Sequence, residues 1–166
     1  MSTDISKEEL LSIAINANGT RLAFGDKNGM LRIMDIRTSS SVQNIPAHSA
    51  RITNIEFSPD GQQIATSSMD KTAKIWNATD FSTPPIVITK HNTLVMSLAF
   101  SSDGNYLVTA SLETSKGLSS LYYWPTHASY MADQMCDELT RNMTVREWET
   151  YVSYDLEYAK TCPNLP

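Results

Sequence analysis

Three turn dipeptides, Asn18-Gly19, Asp60-Gly61 and Asp103-Gly104, recur along this chain at intervals of 42 and 43 residues, each at the same place in a longer pattern. Residues 16–35, 58–77 and 101–125 share that pattern: an alternating apolar strand, a tight turn ending in Gly, a second strand, and a third closing at Met34-Asp35, Trp76-Asn77 or Trp124-Pro125. A repeat of this length decides the architecture before any local propensity does, because one such unit cannot bury its apolar face alone. In the middle unit Ile52, Asn54 or Ile55, and Phe57 precede the turn, Ile64 and Ala65 follow it, and Ala73, Ile75 and Trp76 form the third run. Short strands with apolar residues crowding both faces suit sheets packed face to face. Asn-Gly and Asp-Gly supply the positive φ that a tight hairpin needs.

These residues resemble the WD40 family, whose repeat is a four-stranded blade of a β-propeller. The likeness covers about residues 10–125. Ala47-His48 stands where the family has Gly-His, Ser58-Pro59-Asp60-Gly61 is its first turn, Asp70 is the acid of its second turn, and Trp76-Asn77 replaces Trp-Asp. The resemblance implies that His48, Thr66, Asp70 and Trp76 form a buried structural hydrogen-bond tetrad, a network costly to bury half-made. The third unit has a partial set, His91, Thr109 and Trp124, with Glu113 in place of Asp. The first has Phe24, Asn28 and Met34 at the corresponding positions and no upstream His. A five-residue excess in the third unit falls at 113–121, between its second and third strands, and is expected to be an inserted loop.

The fold expected is mainly β: a partial propeller of about three WD40-like blades (about 10–46, 47–90 and 91–125) within a domain over 1–125, followed by a short α-helical C-terminal extension over 126–166. Residues 42–45 and 86–89 can serve as fourth strands of the first two blades. The third lacks one, because Trp124 leads into Pro125 and a helix. Propellers close with about four to eight blades. Three leave two faces and two edges open, so the chain reads as the terminal part of a longer propeller or one half of an assembly.

The C-terminal extension changes period. Met131, Met135, Cys136 and Leu139 fall on one helix face. Thr144 caps a second helix whose capping box is closed by Glu147, with Met143 and Trp148 at the staple positions. Tyr158 onward, with two prolines, should be extended. Arg141, Asn142, Met143, Thr144, Glu147, Trp148, Tyr151, Tyr158, Thr161, Cys162 and Pro163 resemble the C-terminal extension of large bacterial WD40 proteins that carry an N-terminal effector and a nucleotide-hydrolysing switch. No Gly-x-x-x-x-Gly-Lys-[Ser/Thr] loop occurs here to supply that switch.

Composition narrows the function classes. No apolar run is long enough to span a bilayer as a helix, and the first nine residues lack the blocks of a signal peptide, so a cytoplasmic location and no membrane partner are expected. The net charge is −5. Residues 126–166 carry 7 acids against 3 bases, a solvated acidic surface, and no basic stripe offers phosphate neutralisation, so nucleic acid is not an expected partner. Two cysteines do not make a disulfide scaffold, and in a cytoplasmic chain Cys136 and Cys162 are expected as unbridged thiols.

Catalytic readings have little to build on. His48, His91 and His127 show no ligand spacing, so neither metal nor cofactor is expected. Cys162, the one candidate nucleophile, has no basic neighbour closer than Lys160. Asp137-Glu138 and Glu8-Glu9 are adjacent in sequence and point apart on a helix. Tyr122, Tyr123 and Trp124 suit blade core better than a base-stacking platform. The expected function is a non-catalytic protein-interaction module or scaffold, meeting a protein partner through the propeller surface or the 113–121 loop, or a second copy through its open blade edges. The alternative is a regulatory C-terminal piece of a multidomain NTPase switch protein, inactive alone.

Overall fold

The computed structural model describes residues 9–38, 43–113, 118–127, 136, 139–147, 157–160 and 162. The chain divides into two compact units, Met1–Trp124 and Pro125–Pro166.

Within the first unit the strands run β1 (Leu10–Ile15), β2 (Arg21–Asp26), β3 (Met30–Asp35), β4 (Gln43–Pro46), β5 (Ile52–Phe57), β6 (Gln63–Ser68), β7 (Ala73–Asn77), β8 (Ile86–Ile88), β9 (Val95–Phe100), β10 (Tyr106–Glu113) and β11 (Leu118–Pro125). They form three antiparallel sheets in chain order, β1-β2-β3-β4, β5-β6-β7-β8 and β9-β10-β11. The third has no fourth strand among the described residues. Inner strand β5 packs against both β1 and β9, so the sheets lie face to face around their inner strands. The architecture is mainly β, a partial propeller of three blades.

The hairpins are local consequences of the sequence. Gly19, Gly61 and Gly104 all adopt φ near 70°, and their amides donate to the carbonyls of Asn16, Ser58 and Ser101 at 2.8–2.9 Å. In each blade the pairing of the first two strands slips by one residue, at Leu10/Ser12, at Ile52/Asn54 and, opposite Ala110/Ser111, between Val95 and Ser97. The extra residue turns Ile52 and Ile55, three apart, to the same face.

Two apolar clusters join the blades. Ala23, Leu31 and Ile33 of the first meet Ile52, Ile55, Phe57, Ile64 and Trp76 of the second. On the far side of the second, Ala65, Ala73, Ile75 and Ile88 meet Leu98 and Leu107, with Phe100 and Trp124 packed alongside. Side chains reach across as well. Thr53 Oγ1 donates to Val95 O at 2.6 Å, Asn54 Nδ2 donates to Leu98 O at 3.1 Å, and Phe100 N donates to Glu56 Oε2 at 3.1 Å.

Two expectations need correction. The 113–121 segment is not one inserted loop, because Glu113 ends β10 and residues 118–121 belong to β11. The extra length goes into a longer hairpin, each strand spanning 8 residues against 6 and 5 in the second blade. Nor are the cysteines separate thiols: Cys136 and Cys162 form a disulfide. The expectation rested on an assumed reducing compartment and on a spacing that says nothing about proximity.

In the second unit Cys136 is helical, residues 145–147 form a helical turn, and residues 157–160 are without regular structure. The expected helix face through Met131 and Met135 and the staple residue Trp148 lie outside the described residues.

Candidate functional site

The best-defined constellation is the buried polar run of the second blade. It begins where the chain crosses from β4 to β5. The amides of Ala47 and His48 both donate to Gly29 O, at 3.1 and 3.0 Å. Gly29 has φ +83°, and a Cβ there would lie 2.2 Å from His48 O, so only glycine fits.

From that anchor the donors and acceptors follow in order. The Trp76 indole only donates, and its Nε1–H reaches Thr66 Oγ1 at 3.0 Å. The Thr66 hydroxyl is therefore free to donate onward to His48 Nε2, 2.8 Å away. That leaves the ring proton on Nδ1, which donates to Asp70 Oδ2 at 2.9 Å. Asp70 also accepts the Ser49 amide at 3.1 Å and both the amide and hydroxyl of Thr72, at 3.0 and 2.6 Å. Burial holds the His48 imidazolium below its ordinary pKa, and the Asp70 charge opposes this without overcoming it. Burial alone would raise the Asp70 carboxyl. The Thr72 hydroxyl, the charge of His48 and the Ser49 amide outweigh that and hold it below the usual carboxylate range.

The third blade repeats part of the run. Trp124 Nε1 donates to Thr109 Oγ1 at 2.7 Å, and Thr109 lies 3.0 Å from His91 Nε2. The same logic puts the His91 proton on Nδ1. That atom is buried with no hydrogen-bond partner among the described residues, and burial lowers the His91 pKa. The Glu113 side chain lies outside the described residues. The His91 ring stands edge-on to Tyr122, centroids 5.0 Å apart.

In the first blade the structure brings no such run together. Phe24 is fully buried, and Asn28 contributes its amide to Asp26 Oδ1 at 2.9 Å. Asp26, which sequence reasoning missed, also accepts from the Met30 amide at 3.0 Å and from the Arg32 guanidinium at 2.6 Å. Its burial would raise the carboxyl, but Arg32 and the two amides bring it below the ordinary value. The available signal was an Asp three residues before a turn glycine.

In the second unit Thr144 and Glu147 bond reciprocally: the Thr144 amide donates to Glu147 Oε2 at 2.8 Å and the Glu147 amide to Thr144 Oγ1 at 3.2 Å. Arg141 pairs with both oxygens of Glu147, at 2.7 and 2.8 Å, and with Thr144 brings the Glu147 carboxyl down to about 2. Asn142, unnoticed as a clamp, holds Cys162 by its amide and carbonyl at 2.9 and 2.8 Å.

His48, His91 and the tetrad acid are thus occupied by framework contacts. Among the described residues no three His, Cys, Asp or Glu side chains converge as a metal would require. A pocket of about 130 Å³ lined by Arg21, Ile33, Asp35 and Gln43 is smaller than the roughly 300–1,000 Å³ of ligand sites. The open surfaces are apolar: Ile13 and Ile15 on the first blade, Leu121 and Tyr123 on the third.

The model of the WD domain, G-beta repeat, matches residues 39–77 and 82–115. These segments are WD40 repeats. Periodic tryptophan protein 2 homolog of Dictyostelium discoideum is 38% identical over 77 residues, 46% of this chain and 8% of that protein. WD repeat-containing protein SL1-17 of Schistosoma mansoni is 37% identical over 68 residues, 41% of this chain and 22% of its own length. The chain therefore spans less than a quarter of these relatives. A chain in the crystal structure of a mitotic checkpoint complex shares the fold, with TM-score 0.60 and 23% identity over 68% of this chain and 35% of that one. WD40 domains bind protein partners and are generally non-catalytic, and the repeats here fit an interaction scaffold.

Proposed function

We propose that the chain is a non-catalytic protein-interaction module that works by presenting rigid blade surfaces to another polypeptide. The observation that carries this is the division of labour between its side chains. Polar groups capable of chemistry, His48, Asp70, Thr66, His91 and Thr109, are spent inside the blades, while large apolar groups, Ile13, Ile15, Leu121 and Tyr123, stand in solvent. Exposed apolar surface on a rigid frame marks a contact site. A photo-reactive amino acid at Tyr123, introduced in the native host, is expected to cross-link to a polypeptide above a control at exposed Gln62. No adduct above that control overturns the reading.

A second reading, a regulatory C-terminal piece of a multidomain NTPase switch protein, is favoured by the second unit. The residues that carry that resemblance hold one another: Arg141 on Glu147, Asn142 on Cys162, and the Tyr158 hydroxyl on Met143 O at 2.8 Å. The named relatives are eukaryotic and their names mention no nucleotide switch. The coding sequence upstream of Met1 discriminates: an in-frame phosphate-binding loop favours the switch protein.

A further inference from the structure

The two outer faces of the blade stack are the two halves of one kind of junction, which the chain already makes twice. Superposed by their turn glycines, Ile13 and Ile15 correspond to Ile55 and Phe57, and to Leu98 and Phe100. In the second blade this face is buried on the first blade, and in the third it is buried on the second. In the first blade nothing among the described residues buries it: Ile13 is 68% exposed where Ile55 is 3% exposed, and Leu10 stands open where Ile52 and Val95 are buried.

The third blade presents the opposite half. Aligned on Trp76 and Trp124, Leu121 and Tyr123 take the places of Ala73 and Ile75, and of Leu31 and Ile33 in the first blade. Those four counterparts are buried beneath the next blade, whereas Leu121 is 61% and Tyr123 69% exposed. The detail of the receiving surface matches too. At Gly25 the first blade approaches Ile52 so closely that a Cβ would sit 2.8 Å from it, and the small residue recurs as Ser67 and Ala110. Ala110 thus leaves room for a residue at the Ile52 position, which on the uncovered first blade is Leu10. Inner strand β9 carries Ser97 and Ala99 where β1 carries Ser12 and Ala14. It lacks Asn54 and Glu56, the polar reach of the middle blade, and resembles the first blade, whose Ala14 packs against the apolar side of the second.

We infer that two copies of this chain join head to tail, the Leu10, Ile13 and Ile15 face of each seated on the Ala110, Leu121 and Tyr123 face of the other. This pairing rests on the reading of the chain as a contact module and names its partner. Each junction repeats the chemistry of the internal ones, and two equal junctions give six blades, within the range at which propellers close. A face that meets a different face forms a finite ring only if the rotation closes, and open fibres otherwise.

The test is the mass of the intact chain in solution by sedimentation equilibrium over a concentration series. The expected species has twice the 18.5 kDa of one chain. A folded monomer throughout, or an open ladder of larger species, overturns the pairing. So does a monomer that associates only with a polypeptide bearing further repeats. Ile13→Asp and Tyr123→Asp each damage both junctions and should run as monomers. Mixed, they restore one wild-type junction, so a species of twice the mass should reappear. Insensitivity to Ile13→Asp, or no mixed species, overturns the head-to-tail arrangement. Ile15→Lys and Leu121→Lys repeat the cycle should either first variant fail to fold. Cross-links from Tyr123 to unrelated polypeptides, with a monomeric chain, would sink the pairing and leave the contact-module reading standing.

Discussion

His48 Nδ1 and Asp70 Oδ2 lie 2.9 Å apart across 22 residues of chain, tying the entrance of the second blade to the turn between its second and third strands. Removing the carboxylate leaves the His48 Nδ1 proton only the Thr72 hydroxyl, 3.1 Å away, and takes the Asp70 acceptor from that hydroxyl and from the Ser49 amide. Leaving a buried donor without an acceptor costs about 1–3 kcal/mol. Asp70→Ala should lower the urea midpoint by that order, and an unchanged midpoint would show that the run adds nothing to stability. Among the described residues, the third blade already lives with such an orphan at His91 Nδ1.

The stability of the blades should fall as the solution is acidified below about pH 6.5. An unfolded histidine titrates near about 6.5, whereas burial holds His48 and His91 lower in the folded chain. Between those values the unfolded chain binds protons that the folded chain refuses, so this contribution is complete above the unfolded value and is lost as pH drops toward the folded ones. Asp26 and Asp70, held below the carboxylate norm, add a second loss as pH falls below about 3.9 toward their folded values. Urea midpoints measured stepwise through the acid range check this. In His91→Gln part of the first slope should vanish.

Trp76 contributes in two separable ways. Trp76→Phe keeps most of the ring and deletes the donor to Thr66, at about 0.5–1.5 kcal/mol. Trp76→Ala also empties the cluster beneath Ile64 and Phe57, at about 3–5 kcal/mol. Equal melting temperatures for the two variants would show that the indole body packs against nothing.

Breaking the disulfide should loosen the second unit alone. Cys136 and Cys162 close a loop with a sequence separation of 26, and a bridge of that size contributes about 2–4 kcal/mol. After Cys162→Ser, or in the presence of a thiol reductant, limited proteolysis should cut within 126–166 while the blade fragment survives. Equal protection of both units in the reduced chain would show that the bridge does not hold the second unit together.

The repeat made the blades legible because it constrains many positions at once: three turn glycines, three runs of strands and two tryptophans agree on one unit. Local alternation was less informative, and β5 shows why. The bulge after Ile52 breaks the period of two, so a reader of the sequence cannot choose between Asn54 and Ile55 as the inward residue. Asp26 with Arg32 escaped notice because their counterparts in the second blade, Ser68 and Lys74, lie outside the tetrad that the resemblance implies. The disulfide escaped because nothing in a linear spacing brings Cys136 to Cys162. The strand character of Glu113 and of residues 118–121 was hidden by the Ser, Thr and Gly of that segment, which read as loop until β10 supplies β11 with a partner.

Among the described residues, only the middle sheet has a neighbouring sheet on each side. Its amides around Thr66 and Ile75 should therefore be the slowest to exchange with deuterium, with the outer sheets loosening first from their bare flanks. Covering those flanks would even out that gradient, so the exchange rates of β1 and β11 report directly on whether the ring is whole.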